Sequence, residues 1–411
     1  MKSIKVISYL LISIYLVPSS IYADELRVSI QLQPKQRDKF ELFLHRFFLE
    51  TGIKVKSMVD SDMGYKLKVP VWLEEGKDTP DVMFWSASQR LYRYAEMGLL
   101  MPITDLWDEE QYDEQFKLMK HGVSYQGEVY AVPFAHYHWG LYYRKSMVKN
   151  FGGLPEDWES FLALLARMKE AGITPLGIGT KQNWPAAAWF DYIDLRTNGL
   201  QFHLDLLGGK ISFHHPRVQS VLSDWKRLID NKYYNRDHMS HRWDGLLPLF
   251  YRNQIGFLLL GSFVASRWPD NQELYDDIGF LPFPKMQDDF PYFENAPTDI
   301  FVIPKNTKQE KEAKAFIKFI ARPDVQTALN HDLGYLPPNS KSTVGNDRFV
   351  QAGSQMFQRA EGLAQFFDRD APPDFEKLAT PLLADFITTG DIQSLTIELE
   401  KARLEVFGPL Q

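Results

Sequence analysis

Pro80-Asp-Val-Met-Phe-Trp-Ser-Ala-Ser88, then Leu91-Tyr-Arg-Tyr-Ala-Glu-Met-Gly-Leu-Leu100 and Met101-Pro-Ile-Thr-Asp105, is the stretch that decides the fold. Asp81 to Phe84 is a short apolar run after a proline, the pattern of a strand buried on both faces. Trp85 falls where that strand should end; three small residues follow, and a helical pattern closes at Gly98. In open α/β sheets, ligands bind outside the carboxyl ends of the strands. A large aromatic at that place is a candidate ligand platform as well as candidate core.

Upstream, Leu26 to Ile30 reads as a first strand, and a polar turn runs from Gln31 to Lys35. Phe40, Phe43, Leu44, Phe47 and Phe48 then form a helical apolar stripe, and Gly52 is placed to close that helix. Ile53 to Val59 alternates as a second strand. A strand–helix–strand unit of this length implies parallel strands with a right-handed crossover. The first lobe is therefore expected to be a parallel α/β sheet with helices on both faces. Its ligand edge carries Gln31 and Gln33 after the first strand, and Trp85, Ser86 and Ser88 after the third.

Downstream, the stretch from Tyr125 to Arg144 carries His136, Tyr137, His138 and Trp139 in an extended run, where Pro133 excludes helix. This run is expected to carry the chain between two lobes. His136 and His138 would share a strand face, but no third ligand lies nearby, so a hydrogen-bonded pair in an aromatic wall is the favoured reading over metal.

Leu154-Pro-Glu-Asp-Trp158 starts a helix with Phe161, Leu164, Leu165 and Met168 on one face, closed at Gly172. Leu176 to Thr180 is a strand with Trp184 in the loop after it and Trp189 at the next helix, repeating the arrangement at Trp85. Gly256 to Phe263 reads as a buried strand, a Gly-Ser loop and an aromatic at the strand end, with Trp243-Asp244 before it. Ile278 to Pro284 is an extended edge piece. Ile300 to Ile303 returns as a strand, Lys311 to Ile320 is a helix, Gly334-Tyr335-Leu-Pro-Pro338 is a rigid connector, and the remainder reads as helical.

At 411 residues, 45% apolar, the chain is too long for one core, and two lobes are the default. A formal charge of -7 without a Lys/Arg cluster argues against nucleic acid as partner. The absence of Cys excludes disulfides, thiolate nucleophiles, Cys-ligated zinc and a lipoprotein anchor. Residues 1–23 read as a secretory signal: Lys2 and Lys5, an apolar core from Val6 to Val17, and a cleavage site at Ile21-Tyr-Ala23. The mature chain is expected in a bacterial periplasm, exported and unanchored.

These stretches together resemble the extracellular solute-binding proteins of family 1, the maltose-binding-protein-like group that serves ABC importers. The likeness covers nearly the whole mature chain. It rests on Thr51-Gly-Ile-Lys-Val55, Pro80 to Trp85, Ala95 to Ile103, Tyr125 to Pro133, Leu141 to Lys145, Pro155 to Phe161, Gly256 to Phe263, Ala313 to Ile320 and Gly334 to Pro337, in this order.

The resemblance implies the type II periplasmic-binding fold: two α/β lobes, each a mainly parallel sheet flanked by helices, with ligand held between them by hinge closure. On that pattern the N-terminal lobe is 24–137 plus 298–337 and the C-terminal lobe 138–297 plus 338–411. It further implies a sugar or oligosaccharide ligand, no cofactor, no catalysis, and as partners a membrane permease with its ATPase and a sensor receptor reading the loaded form. The protein itself is expected to be a monomer. Trp85 and Ser86 match family cleft positions, and Phe263 stands where the family usually has Trp. The full candidate ligand set is Gln33, Trp85, Ser86, Ser88, His136, Trp139, Trp184, Trp189, Asp244, Phe263, Asn295 and Tyr335.

Sugar chemistry suits this set, because a sugar ring offers a C–H face to Trp and hydroxyls to polar side chains. Two alternatives stand beside it. The same scaffold could take a polyamine, using Asp191, Asp194, Asp244 and Asp299, or an acidic sugar or anion at Arg144. An exported glycoside hydrolase is the third reading, although Gly-x-Ser-x-Gly, His-Glu-x-x-His and Walker motifs are all missing from the sequence.

Overall fold

The computed structural model describes residues 25–32, 36–60, 62–287 and 291–410. The signal segment and Gln33 lie outside the described residues. Eleven strands matter for the site: β1 Leu26–Gln31, β2 Val55–Asp60, β3 Val82–Ser86, β4 Ala131–His136, β5 Trp139–Arg144, β6 Thr174–Gly177, β7 Ile255–Gly261, β8 Ile278–Leu281, β9 Phe293–Asn295, β10 Thr298–Val302 and β11 Gly362–Ala364. They make a five-stranded sheet ordered β2-β1-β3-β10-β4 and a four-stranded sheet ordered β8-β5-β7-β6. A two-stranded parallel sheet, β9 with β11, accompanies them.

Each large sheet has one strand running against the rest. In the first it is β10, antiparallel to both β3 and β4. In the second it is β5, antiparallel to β7 and β8, while β6 and β7 are parallel. These are the two strands entered directly from the other lobe, β5 after β4 and β10 after β9. The crossings, not the strand–helix–strand units, account for the mixed pairing.

Local sequence explains the elements. Helix Arg37–Thr51 buries Phe40, Phe43, Leu44 and Phe47. Gly52 ends it in the left-handed region at φ 76°, with its N–H donating to Phe48 O. Asp157 caps Trp158–Glu170 through a capping box with Ser160. The first lobe packs these phenylalanines against Phe316 and Phe319 of helix Glu310–Ala321. The second lobe has its own core around Trp189, Trp225, Phe257 and Phe375. Helix Arg348–Arg359 straddles the two: Val350, Met356 and Phe357 join the first core, while Phe349 packs with Tyr142 of the second lobe.

The C-terminal quarter departs from the helical reading. Residues 362–370 form β11 and a single helical turn, Phe367–Asp370, before helix Pro373–Thr389 begins. Two of their backbone N–H groups are held by carboxylates, that of Gln365 by Asp370 and that of Phe367 by Asp191. Among the described residues, no helix is long and apolar enough to cross a membrane.

Candidate functional site

The site is the facing surface between the lobes, and its second-lobe wall is aromatic. β7 ends at Gly261. A Cβ there would stand 2.6 Å from Trp139 Nε1 and 2.6 Å from Phe263 Cε1, so only glycine lets both rings close over the strand end. Trp139, at the start of β5, lies 5.6 Å from Trp184, 5.5 Å from Phe263 and 4.4 Å from Phe366, centroid to centroid. Trp243 adds an edge contact to Phe263 at 5.0 Å. Beside it, Asp244 sits between Arg242 at 3.5 Å and Arg267 at 3.6 Å.

Three polar atoms on the segments that carry these rings are buried and hydrogen-bonded to nothing in the protein: Trp139 Nε1, Ser262 Oγ beside Phe263, and Gln182 Oε1 two residues before Trp184. Buried polar groups are seldom left so, since each costs about 1–3 kcal/mol. The set comprises one donor, one acceptor and a hydroxyl that does both, with no formal charge. A ligand bearing hydroxyls satisfies all three while its apolar face lies on the rings.

The first-lobe wall is built at the end of β3. Trp85 donates from Nε1 to Arg90 O at 2.8 Å and packs edge-on to Tyr94. It lines a cavity of about 150 Å³ with Lys66, Arg90, Arg93 and Tyr94, to which Pro373 of helix Pro373–Thr389 also contributes. Ser86 pairs with Asp299 across β3 and β10. The Ser88 hydroxyl donates to Asp370 Oδ1 at 2.5 Å.

Asp299 accepts from the Tyr137 hydroxyl at 2.5 Å and faces Arg369 Nη1 at 3.1 Å. Burial raises its carboxyl above the ordinary range, and the Arg369 charge pulls it back. The Tyr335 ring packs at 4.6 Å against Tyr137, tilted by 57°, and its hydroxyl accepts from Gln36 Nε2 at 2.8 Å.

The structure therefore brings Trp139, Trp184 and Phe263 together on one wall, with Asp244 behind Trp243. Trp85, Ser86, Ser88 and Tyr335 come from the opposite lobe. Other candidates lie elsewhere. Trp189 is core: 1% exposed, edge-on to Tyr234 and Phe283, its ring offers no face to a ligand. His136 is interior too, bonded through Nδ1 to Thr298 Oγ1 at 2.8 Å, and burial pushes it down to about 3, so it is neutral. Asn295 is fully buried in the small sheet, with both side-chain polar atoms unpaired.

The carboxylates proposed for a polyamine are divided. Asp194 holds His203 inside the second lobe at 2.8 Å, with Asp191 at 3.9 Å from the other ring nitrogen. Arg144 bonds Asp277 at 2.7 Å and Tyr251 O at 2.6 Å, an ion pair internal to its lobe.

Phe366, Arg369 and Asp370 were not expected from the sequence. Their signal is Gln365-Phe-Phe-Asp-Arg-Asp370, where aromatics and charges crowd together without a helical period.

Comparison with known proteins agrees with this architecture. The family model described as bacterial extracellular solute-binding protein matches residues 33–327. An ABC transporter extracellular-binding protein of Pyrococcus horikoshii is 27% identical over 316 residues, covering 74% of this chain and 69% of that protein. A melibiose/raffinose/stachyose-binding protein of Bacillus subtilis is 25% identical, covering 67% of each. Among solved structures, the bacterial solute receptor AcbH, whose title reports a preference for β-D-galactopyranose, superposes with a TM-score of 0.83 at 24% identity over 93% of this chain and 98% of that one. A chitin oligosaccharide binding protein superposes at 0.79, with 19% identity over 93% and 99%.

Proposed function

The chain belongs to the bacterial extracellular solute-binding protein family, and from that membership we propose that it is the sugar-binding component of an ABC importer. It holds a neutral sugar or short oligosaccharide between the lobes and passes it, unchanged, to a membrane permease driven by its ATPase. The lobes are 24–137 with 298–337 and 138–297 with 338–411, and the mature chain works as a periplasmic monomer after loss of 1–23.

One observation carries the ligand class. Trp139 Nε1, Gln182 Oε1 and Ser262 Oγ stand buried and unpaired on the segments that carry the packed rings of Trp139, Trp184 and Phe263. Uncharged donors and acceptors beside flat apolar faces fit a polyhydroxylated ring. A polyamine would need free carboxylates, and here Asp299 faces Arg369 while Asp244 faces Arg242 and Arg267.

The test is a thermal-shift panel of mono- and oligosaccharides, uronates and polyamines on the mature protein. A ligand at 100 times its Kd adds about 2.7 kcal/mol of stability. A neutral sugar should raise Tm, and Trp184→Ala should abolish that rise. A rise with polyamines or uronates alone would refute the neutral-sugar reading, and turnover of a glycoside would refute a binding role.

A further inference from the structure

We propose that Asp370 is a positioning residue that couples the first lobe to the aromatic wall of the second, by setting the backbone on which Phe366 is presented. The inference rests on the reading above for what the wall binds, and on geometry for the coupling itself.

Asp370 uses both carboxylate oxygens. Oδ1 accepts the Ser88 hydroxyl from the first lobe at 2.5 Å, and Oδ2 accepts the Gln365 N–H at 2.6 Å. Between these bonds lies Phe366, at φ 71° and ψ 158°, a region that essentially only glycine occupies freely. The N–H on its other side, from Phe367, is held by Asp191 Oδ2 at 2.8 Å. The Phe366 carbonyl accepts from Arg369 N at 2.9 Å and Asp370 N at 2.8 Å.

Two buried carboxylates thus grip the chain on either side of one strained aromatic residue. Its ring packs 4.4 Å from Trp139 and 5.7 Å from Tyr192.

Ser88, at the other end of the bond, is strained as well. Its φ is 66° and ψ -138°, and its N–H donates to Gly122 O at 2.7 Å. Two non-glycine residues in sparsely populated conformations, one in each lobe, are therefore tied to Asp370, Ser88 through its hydroxyl and Phe366 through the adjoining Gln365 N–H and its own carbonyl. Strain of this kind persists where surrounding contacts over-determine it, and it clusters at switch and ligand regions. When the lobes part, the Ser88 hydroxyl leaves Asp370, and one of the restraints on the Gln365–Phe366 backbone goes with it. The wall that receives ligand is then fully formed only when the lobes are together.

The experiment uses the full mature chain and the near-UV circular dichroism of Trp139, defined as the signal lost in Trp139→Phe. Ser88→Ala removes one hydroxyl in the first lobe and changes no residue of the second. It should nonetheless diminish the Trp139 signal. Asp370→Asn keeps the shape but leaves one acceptor for two donors, and should diminish it similarly. The double variant should do no more than either single one.

A Ser88→Ala spectrum identical to wild type, or a double variant whose loss is the sum of both, overturns the coupling. Should Ser88→Ala fail to fold by far-UV dichroism, Asp370→Asn alone decides, an unchanged Trp139 signal again overturning it. For a panel sugar that raises the wild-type Tm, affinity in both variants should fall about tenfold, and an unchanged affinity overturns the proposal. If no sugar binds the wild type, the sugar reading fails, while the spectra still decide the coupling.

Discussion

Arg369 and Asp299 meet across the two lobes, Nη1 to Oδ1 at 3.1 Å, and the same nitrogen donates to Thr298 O at 3.1 Å. The Asp299 side chain is 3% exposed and that of Arg369 is 19% exposed. Removing one partner of a buried pair strands the other charge, at a cost of about 3–5 kcal/mol. Arg369→Met should therefore lower the urea midpoint strongly, and adding Asn at Asp299 should restore part of the loss. A single variant as stable as wild type would show that the pair forms no buried link between the lobes.

Much of this arrangement could be read before any coordinates. The helix stripe from Phe40 to Phe47, its Gly52 stop and the strands around it follow from periods of 3.6 and 2, which local chain geometry enforces. Trp139, Trp184 and Phe263 could be picked out because strand ends gather at one edge of an α/β sheet. Trp189 could not be separated from them: it stands five residues from Trp184, and the direction of a helix face is fixed by packing against Tyr234 and Phe283, residues far along the chain. Residues 362–370 escaped for the same reason, since Asp191 holds the Phe367 N–H, while Ser88 and the Thr298 N–H bond the side chains of Asp370 and Gln365.

Gly261 allows a test of the aromatic wall that leaves every ring in the sequence. A methyl at this position would collide with the indole of Trp139 and the ring of Phe263 at 2.6 Å each. Overpacking of this sort costs about 1–3 kcal/mol and is relieved by moving the rings. Gly261→Ala should fold and retain its far-UV spectrum, yet bind a panel sugar at least tenfold more weakly, about 1.4 kcal/mol. Calorimetric titration checks this, and undiminished affinity would remove Trp139 and Phe263 from the ligand wall.

Helix Arg348–Arg359 lies on His138 only because residue 353 is glycine. A Cβ there would come within 2.4 Å of His138 Cγ and 2.7 Å of its Cβ, atoms too near the backbone to swing away. Gly353→Ala gains helix propensity, about 1 kcal/mol where exposed, but the collision should outweigh it. The expected result is a Tm several degrees below wild type. A raised Tm would mean that the helix can slide over His138, and that this contact is loose.

Buried histidines set opposite limbs of the stability profile. Burial pushes His136 down to about 3 and His138 to about 4, so the native state refuses protons that the unfolded chain takes below its ordinary value of 6.5. Stability then falls as pH drops through that window. For His203, burial alone would lower the value, but the hydrogen bond its ring donates to Asp194 and the charges of Asp194 and Asp191 carry it to about 9. Here the native state keeps a proton that the unfolded chain releases above 6.5. The contribution is complete below that pH and is lost as pH rises to about 9, amounting to about 3 kcal/mol. Asp191, raised to about 8 by burial, adds slope of the same sign between about pH 4 and 8, and the two neutral histidines outweigh it on the acid side. Through His203, urea midpoints should fall as pH rises from about 6.5 to about 9. His203→Gln keeps a donor for Asp194 but no titrating ring, so it should flatten the limb above pH 6.5 and leave the acid limb as it is. An alkaline limb as steep as in wild type would show that His203 is not charged inside the folded protein.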